Sequence, residues 1–301
     1  MPVATPNFII VGGMPGSGTR AVMDVLAELG VKAWGDDNWD SALGCCQAVH
    51  DVVKACVMAE KPPTLWYALN VDTSNSTSGI RDTCKSVGLK LGAQLADYYR
   101  VKLNSTTALF GAKEPELFLQ LPHLVQLFGR RLYYVHAIRD GRDVVLSYSA
   151  RWTSRLAYAV KPQIARGRCP QLLDIWRWVN VQVLAKASAT LGSRFLAIHV
   201  EDLLPNSTRA MTRRVVSPML DDLLLTSLVR LLFSAGLARS IADVREAINR
   251  VQRKDLGRAH KSGDTPGFRP ANPNTAFAKW MRHPLFAKTN CSDKVAGLGY
   301  T

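Results

Sequence analysis

The sequence predicts an α/β fold in which helices cover both faces of a central parallel sheet, a three-layer α/β/α arrangement. Two observations support this. Short apolar runs alternate along the chain with segments whose apolar residues recur every three to four positions. Each apolar run is nearly continuous, as expected for strands that are buried on both faces of a parallel sheet. All 301 residues are predicted to form one domain, with a core at about 7–205 and a helical part at 206–301.

Five segments have the composition of buried strands, rich in β-branched and aromatic residues. They lie at residues 7–11, 31–34, 107–112, 132–138 and 195–200.

Between the strands, apolar periodicity and capping residues predict helices. These lie at 19–29, 40–60, 80–99, from Pro115 onward, at 141–152, at 172–191, and over most of 206–251. The longest apolar stretch, residues 223–237, falls short of a membrane span and contains Arg230, so it is predicted to be a buried helix. A Gly/Pro/Lys-rich loop is predicted at 253–274.

The chain is strongly basic, with 38 Lys and Arg against 24 acidic residues and a formal charge of +14. Such a surface attracts polyanions such as nucleic acid, an anionic membrane or a phosphorylated nucleotide, or simply keeps the protein soluble. No basic patch interleaved with aromatic residues and no nucleic-acid motif is present, so nucleic acid is not an expected partner. The six cysteines lack C-x-x-C spacing, so no metal site is predicted.

Compartment signals disagree. The first apolar run, residues 8–11, is too short for a secretory signal, and no segment is long enough for a membrane span, which predicts a cytoplasmic protein. Four N-glycosylation sequons point instead toward the secretory pathway. They begin at Asn75, Asn104, Asn206 and Asn290.

A glycine loop follows the first strand and opens directly into a helix. Glycines allow backbone N–H groups to turn toward an anion, and the helix N-terminus adds partial positive charge. The loop is close to a Walker A sequence from Gly13 to Gly18, but Thr19 replaces its lysine and Arg20 its metal-binding hydroxyl. Because a kinase needs both groups, the pattern indicates a phosphate site that does not serve metal-dependent phosphoryl transfer.

A second pattern follows the fourth strand. Arg139 stands at the predicted carboxyl end, Asp140 is placed to cap the next helix with Asp143 three residues on, and Ser147 lies about two turns along. Arginine offers a planar fork for phosphate oxygens, and serine offers a hydroxyl donor. A capped helix with a surface serine is the alternative interpretation.

Together these segments resemble those of sulfotransferases that use 3'-phosphoadenosine 5'-phosphosulfate (PAPS). The glycine loop is similar to the family's Pro-[Lys/Arg]-Ser-Gly-Thr, with Gly16 at the basic position and Arg20 near enough to replace it. The Arg-Asp-x-Arg-Asp-Val segment from Arg139 is similar to the family's 3'-phosphate site, which pairs an arginine with a serine such as Ser147. Similar segments also occur at 111–115 and 195–203, and the resemblance covers about 7–205. The matching loop residues are Pro15, Ser17, Gly18 and Thr19.

The resemblance implies the P-loop-like sulfotransferase fold and transfer of a sulfuryl group from PAPS to a hydroxyl or amine acceptor, with 3'-phosphoadenosine 5'-phosphate (PAP) as product. A late basic loop closes over the 3'-phosphate in the family, which makes Lys254, Arg258 and Lys261 candidates. A solvated loop is the alternative interpretation.

Sulfuryl transfer is an in-line displacement that needs positive charge at the leaving phosphate and a base for the acceptor. Lys113, at a strand end, is expected to stabilise the negative charge between the sulfate and the leaving phosphate. A surface lysine is the alternative interpretation. For the base, residues 35–40 resemble the Gly-Glu-Glu segment of the tyrosyl-protein branch, so Asp37 is favoured over Asp36, with Glu114 as a rival. A solvated carboxylate is the alternative for each.

Two other functions remain open from sequence. A P-loop kinase or NTPase would account for the glycine loop but not for the missing lysine. A non-catalytic binder of adenosine phosphates or nucleic acid would account for the charge and for Gly16. Neither the acceptor nor the oligomeric state follows from the sequence, because acceptor pockets of this architecture are formed by loops.

Overall fold

The computed structural model describes residues 7–33, 109–113, 115–145, 169–203 and 218–259. Five strands form one sheet in the order β2-β3-β1-β4-β5, and every neighbouring pair is parallel. The strands are β1 Asn7–Gly13, β2 Lys32–Ala33, β3 Leu109–Lys113, β4 Leu132–Ile138 and β5 Phe195–His199.

Six α-helices connect or cover these strands within the described residues. They are α1 Thr19–Glu28, α2 Leu121–Phe128, α3 Gly141–Val145, α4 Cys169–Leu191, α5 Pro218–Ser234 and α6 Ile241–Ala259. Four 3-10 segments accompany them, at Pro115–Gln120, Gly129–Arg131, Gly192–Arg194 and Val200–Leu203. None of the described helices combines the length and the apolar character needed to cross a bilayer.

One face of the sheet packs on α1, α5 and α6. Alternate strand residues such as Ile9, Val11 and Val135 are fully buried there, since successive side chains of a strand point to opposite faces. Tyr133 belongs to the same face, and its hydroxyl donates a hydrogen bond to the Ser234 carbonyl at the end of α5. This face is therefore closed mainly by aliphatic packing.

The opposite face packs on α2, the turn Pro115–Gln120 and α4. Phe8 stacks on Phe128 with ring centroids 4.5 Å apart, and Phe118 meets the edge of the His136 ring at 6.3 Å. Asn180 of α4 is hydrogen-bonded to His136 Nε2 at 2.9 Å. Helices thus cover both faces, and the predicted three-layer α/β/α fold is confirmed.

A buried histidine lies within this second face. His136 has no exposed surface, its Nδ1 lies 3.1 Å from the Tyr134 hydroxyl, and its Nε2 faces Asn180 Oδ1. Burial lowers the pKa of His136 from 6.5 to about 4, although the hydrogen bond to Asn180 opposes this change. The folded protein therefore holds a neutral imidazole at physiological pH.

Several predicted elements differ in detail. The helix expected from Pro115 starts as a 3-10 turn, and the α-helix begins only at Leu121, because Pro122 fits best within a first turn. The stretch 223–237 is mostly helical as expected, but its burial is one-sided: 57% of Leu223 and 71% of Phe233 are exposed.

The loop predicted from residue 253 is wrong over its first residues, because α6 continues to Ala259. Lys254 and Arg258 therefore belong to a helix. Both are good helix formers, and the single Gly257 between them does not end the helix.

Other predicted helices lie outside the described residues: those at 40–60 and 80–99, and the part of the helix at 141–152 beyond Val145. The single-domain organisation stays a prediction.

A close contact between β3 and α1 gives a first test. A Cβ added to Gly111 would overlap Met23 Cε and lie 2.8 Å from Val31 Cγ1. Overfilling a packed core costs roughly 1–3 kcal/mol, so we expect Gly111→Ala to lower the free energy of unfolding by about that amount. Urea denaturation measures the change, and a loss below about 0.5 kcal/mol would show that Met23 moves aside at little cost.

The pKa of His136 gives a second test. The unfolded chain takes up a proton on this residue below about pH 6.5, whereas the folded protein does so only near pH 4. Its contribution to stability is therefore complete above pH 6.5 and is lost as the pH falls toward 4, by roughly 3 kcal/mol. In urea denaturation across this range, we expect His136→Gln to be less stable but to show a shallower pH dependence. An unchanged slope would contradict the assignment.

Candidate functional site

The two predicted phosphate-binding segments meet at the carboxyl edge of the sheet. β1 and β4 are adjacent and parallel, with Gly13 aligned with Ala137. The glycine loop after β1 and the Arg139 turn after β4 therefore leave the sheet side by side. On the other side of β1, Lys113 ends β3 level with Val11. Ligands of parallel α/β sheets bind at this edge.

The glycine loop has the backbone conformation of an anion site. Gly16 and Gly18 have φ values of 88° and 82°, in the left-handed region that favours glycine, and the Ser17 amide donates to the Met14 carbonyl at 2.9 Å. Gly18 is the N-cap of α1, and no side chain hydrogen-bonds to the helix start there. The first turn of α1 thus has backbone N–H groups and partial positive charge to offer a ligand.

Ser17 lies inside this loop with its hydroxyl turned inward. Ser17 is 1% exposed, and its Oγ has no hydrogen-bond partner among the described residues. A Cβ added to Gly13 would come within 2.5 Å of both Ser17 Oγ and the Ala137 carbonyl oxygen, so only glycine leaves room for this hydroxyl. A buried hydroxyl without a partner costs about 1–3 kcal/mol, and a ligand oxygen would remove that cost.

Arg139 connects the two segments. Its Nη1 donates to the Gly16 carbonyl at 3.3 Å, and its Nη2 lies 3.2 Å from Asp143 Oδ2. The side chain remains 27% exposed. The guanidinium thus stands directly beside the glycine loop, at the loop position where the resemblance led us to expect a basic residue.

Asp140 caps α3, as predicted, by accepting the Arg142 amide at 2.9 Å. Its carboxylate also binds the Arg142 guanidinium, with Nη2 2.6 Å from Oδ2. Burial raises the pKa of Asp140, while the hydrogen bonds and charge of Arg142 oppose that rise. Asp143 does not complete the cap; the Asp140 amide instead donates to Glu201 Oε1 at 2.7 Å.

The turn after β5 supports both loops. Glu201 holds the Asp140 amide, and Val200 packs against Gly18, where an added Cβ would lie 2.8 Å from Val200 Cγ1. The sequence indicates Val200–Leu203 only as part of a similar segment, and its contacts give it a structural role in the site. Sequence reasoning assigned no role to Tyr134, His136, Trp176 or Asn180, which lie behind Arg139.

Of the predicted site residues, eight are described together with their side chains. Ser17 and Thr19 are buried in the loop, Lys113 is 7% exposed, and Arg20 is exposed on α1. At the Gly16 carbonyl the structure places Arg139. The described residues also include Pro15, Gly16 and Gly18. For Lys254 and Arg258 only the helical backbone is described.

Outside the described residues lie Asp36, Asp37, Glu114, Ser147 and Lys261. The described part of the chain groups no three metal-ligating side chains.

No family model matches the chain, and no curated protein matches its sequence. Among solved structures, one similar chain is the sulfotransferase domain of the olefin synthase from Synechococcus PCC 7002, with 17% identity and a TM-score of 0.46 over 99% of this chain and 96% of that one. Another is the sulfotransferase STF9 from Mycobacterium avium, with 12% identity and a TM-score of 0.42 over 93% of this chain and 77% of that one. Both of these similar structures are sulfotransferases.

Proposed function

We propose that this chain is a sulfotransferase that moves a sulfuryl group from PAPS to a hydroxyl or amine acceptor. One observation carries the proposal: Arg139 and the glycine loop lie together at the carboxyl edge of the sheet, next to a buried Ser17 hydroxyl that lacks a partner among the described residues. The site therefore combines a cation, backbone N–H groups and a hydroxyl donor, which suits an anionic nucleotide.

Each group then has a role. The loop from Pro15 to Thr19 and the start of α1, including Arg20, bind the 5'-phosphosulfate, and Arg139 with Ser147 binds the 3'-phosphate. Lys254, Arg258 and Lys261 remain candidates for further contacts to the 3'-phosphate. Lys113, buried at the end of β3, stabilises negative charge that develops on the leaving phosphate.

In the transfer, a bond forms between the acceptor oxygen or nitrogen and sulfur while the bond from sulfur to the phosphate oxygen breaks. PAP leaves with the bonding pair, and the acceptor proton passes to a carboxylate. Asp37 is the favoured base, with Asp36 and Glu114 as rivals.

Nucleotide selectivity tests the proposal. We expect the wild-type chain to bind PAP more tightly than ATP, with or without magnesium, in calorimetric titrations. Loss of a charged hydrogen bond costs about 1.5–3 kcal/mol, so Arg139→Ala should weaken PAP binding roughly 10- to 100-fold.

The matched control is Arg130→Ala, which removes the same charge from an exposed position before β4, at the opposite edge of the sheet. It should change the dissociation constant less than about twofold. Equal or tighter binding of magnesium-ATP would refute the sulfotransferase proposal and favour a kinase or NTPase.

Ser17→Ala separates stability from binding. Because Ser17 Oγ has no partner among the described residues, its removal should leave the free energy of unfolding of the ligand-free protein unchanged or raise it by up to about 1 kcal/mol. The same change should weaken PAP binding about 5- to 10-fold.

Ser234→Ala serves as its control, because the Ser234 hydroxyl donates to the Leu231 carbonyl at 2.9 Å and has a hydrogen bond to lose. It should destabilise the protein slightly and leave PAP binding unaffected. Destabilisation of the ligand-free protein by Ser17→Ala would show that the hydroxyl already has a partner.

A further inference from the structure

A row of buried polar side chains runs behind the candidate site. The Tyr134 hydroxyl lies over Gly12, where an added Cβ would overlap it. That hydroxyl is 3.1 Å from His136 Nδ1, and His136 Nε2 is 2.9 Å from Asn180 Oδ1. The row therefore starts beside the end of β1, immediately before the glycine loop.

The same row ends at Arg139. Asn180 Nδ2 donates to the Trp176 carbonyl at 2.7 Å, and Trp176 Nε1 donates to the Arg139 carbonyl at 3.0 Å. Tyr134, His136 and Trp176 have no exposed surface, and Asn180 is 1% exposed. Hydrogen bonds that are buried, except for the part-buried one at the Arg139 carbonyl, thus join β4 and α4 to the residue proposed to bind phosphate.

The donors and acceptors of the row are all consistent with one another. Asn180 uses its amide N–H on a carbonyl, so its oxygen is the acceptor and His136 Nε2 carries the proton. His136 Nδ1 is then left to accept from the Tyr134 hydroxyl. Because each member has a defined direction, the row has a single arrangement.

Trp176 also packs against the turn that carries Arg139. A Cβ added to Gly141 would lie 2.7 Å from Trp176 Cδ2 and 2.8 Å from Leu173 Cδ2, so the indole rests directly on that backbone. The Arg139 carbonyl is held by the indole N–H, and the next amide, of Asp140, is held by Glu201. The single peptide group between Arg139 and Asp140 is therefore held at both its carbonyl oxygen and its N–H.

We propose that Trp176, supported by Asn180 and His136, is a positioning residue that fixes the main chain of Arg139 so that its guanidinium faces the ligand phosphate. The identity of that ligand rests on the proposed function, whereas the fixing of the turn does not. Trp176 itself acts through Arg139 and does not contact the nucleotide.

Trp176→Phe is the sharpest test, since it removes the indole N–H and keeps an aromatic ring in place. A buried carbonyl then loses its donor, and we expect PAP binding to weaken about tenfold. In an Arg139→Ala background the same change should alter the dissociation constant less than about twofold, because the residue through which it acts is gone.

Val183→Ala is the matched control on the same helix. Val183 is 4% exposed and takes no part in the row, so its truncation should destabilise the protein without weakening PAP binding. If Val183→Ala weakens binding as much as Trp176→Phe does, the effect is one of general stability and the proposal is wrong.

Amide hydrogen exchange gives a readout that needs no nucleotide. The Arg142 amide bonds to Asp140 Oδ1 and the Val144 amide to the Asp140 carbonyl, so both report on the turn. We expect Trp176→Phe to speed their exchange about tenfold while the Val244 amide of α6 exchanges as in wild type. Val183→Ala should not produce this local difference.

The outcomes separate the two proposals. If the wild type binds PAP through Arg139 and Trp176→Phe changes neither affinity nor exchange, the positioning role is refuted and the proposed function stands. If the wild type binds no PAP, the proposed function fails, and the exchange of the Arg142 and Val144 amides alone decides the positioning role.

Discussion

The parallel pairing of β1 with β4 is the constraint on which the candidate site depends. Because the two strands are adjacent and parallel, both end at the same edge of the sheet. The chain therefore leaves the sheet at neighbouring points after Gly13 and after Ile138. The hydrogen bond from Arg139 to the Gly16 carbonyl is a consequence of this proximity. A slip of one residue in the pairing would turn Tyr134 and His136 toward the aliphatic face and away from Asn180.

Stability and binding make different demands on the buried polar groups. Behind the site, Tyr134, His136, Asn180 and Trp176 satisfy one another, so their burial is tolerated and confers a single arrangement. Inside the loop, the Ser17 hydroxyl lacks a partner among the described residues. A hydroxyl donor without a partner is tolerated best where a ligand can accept its hydrogen bond, and this contrast distinguishes the supporting structure from the proposed binding surface.

The two arginines of the Arg-Asp-Gly-Arg-Asp segment differ in their surroundings. Arg142 is 9% exposed and its guanidinium makes three hydrogen bonds to the Asp140 carboxylate, so it serves the fold. Arg139 makes longer contacts, 3.3 Å to Gly16 and 3.2 Å to Asp143, and stays more exposed. Because weaker contacts cost less to exchange, Arg139 is the arginine that suits the proposed phosphate contact.

Local pattern alone determined the strands, the two phosphate-type loops and Asp140 as a helix cap. These features depend on neighbours in sequence: apolar runs make buried strands, glycines permit left-handed turns, and an aspartate before a helix accepts its free amides. What only the tertiary structure decided are the contacts between distant residues. Glu201 replaces Asp143 at the Asp140 amide, and Trp176 reaches the Arg139 carbonyl. Such contacts depend on which elements pack together, and the sequence positions of two residues do not predict whether their elements pack against each other.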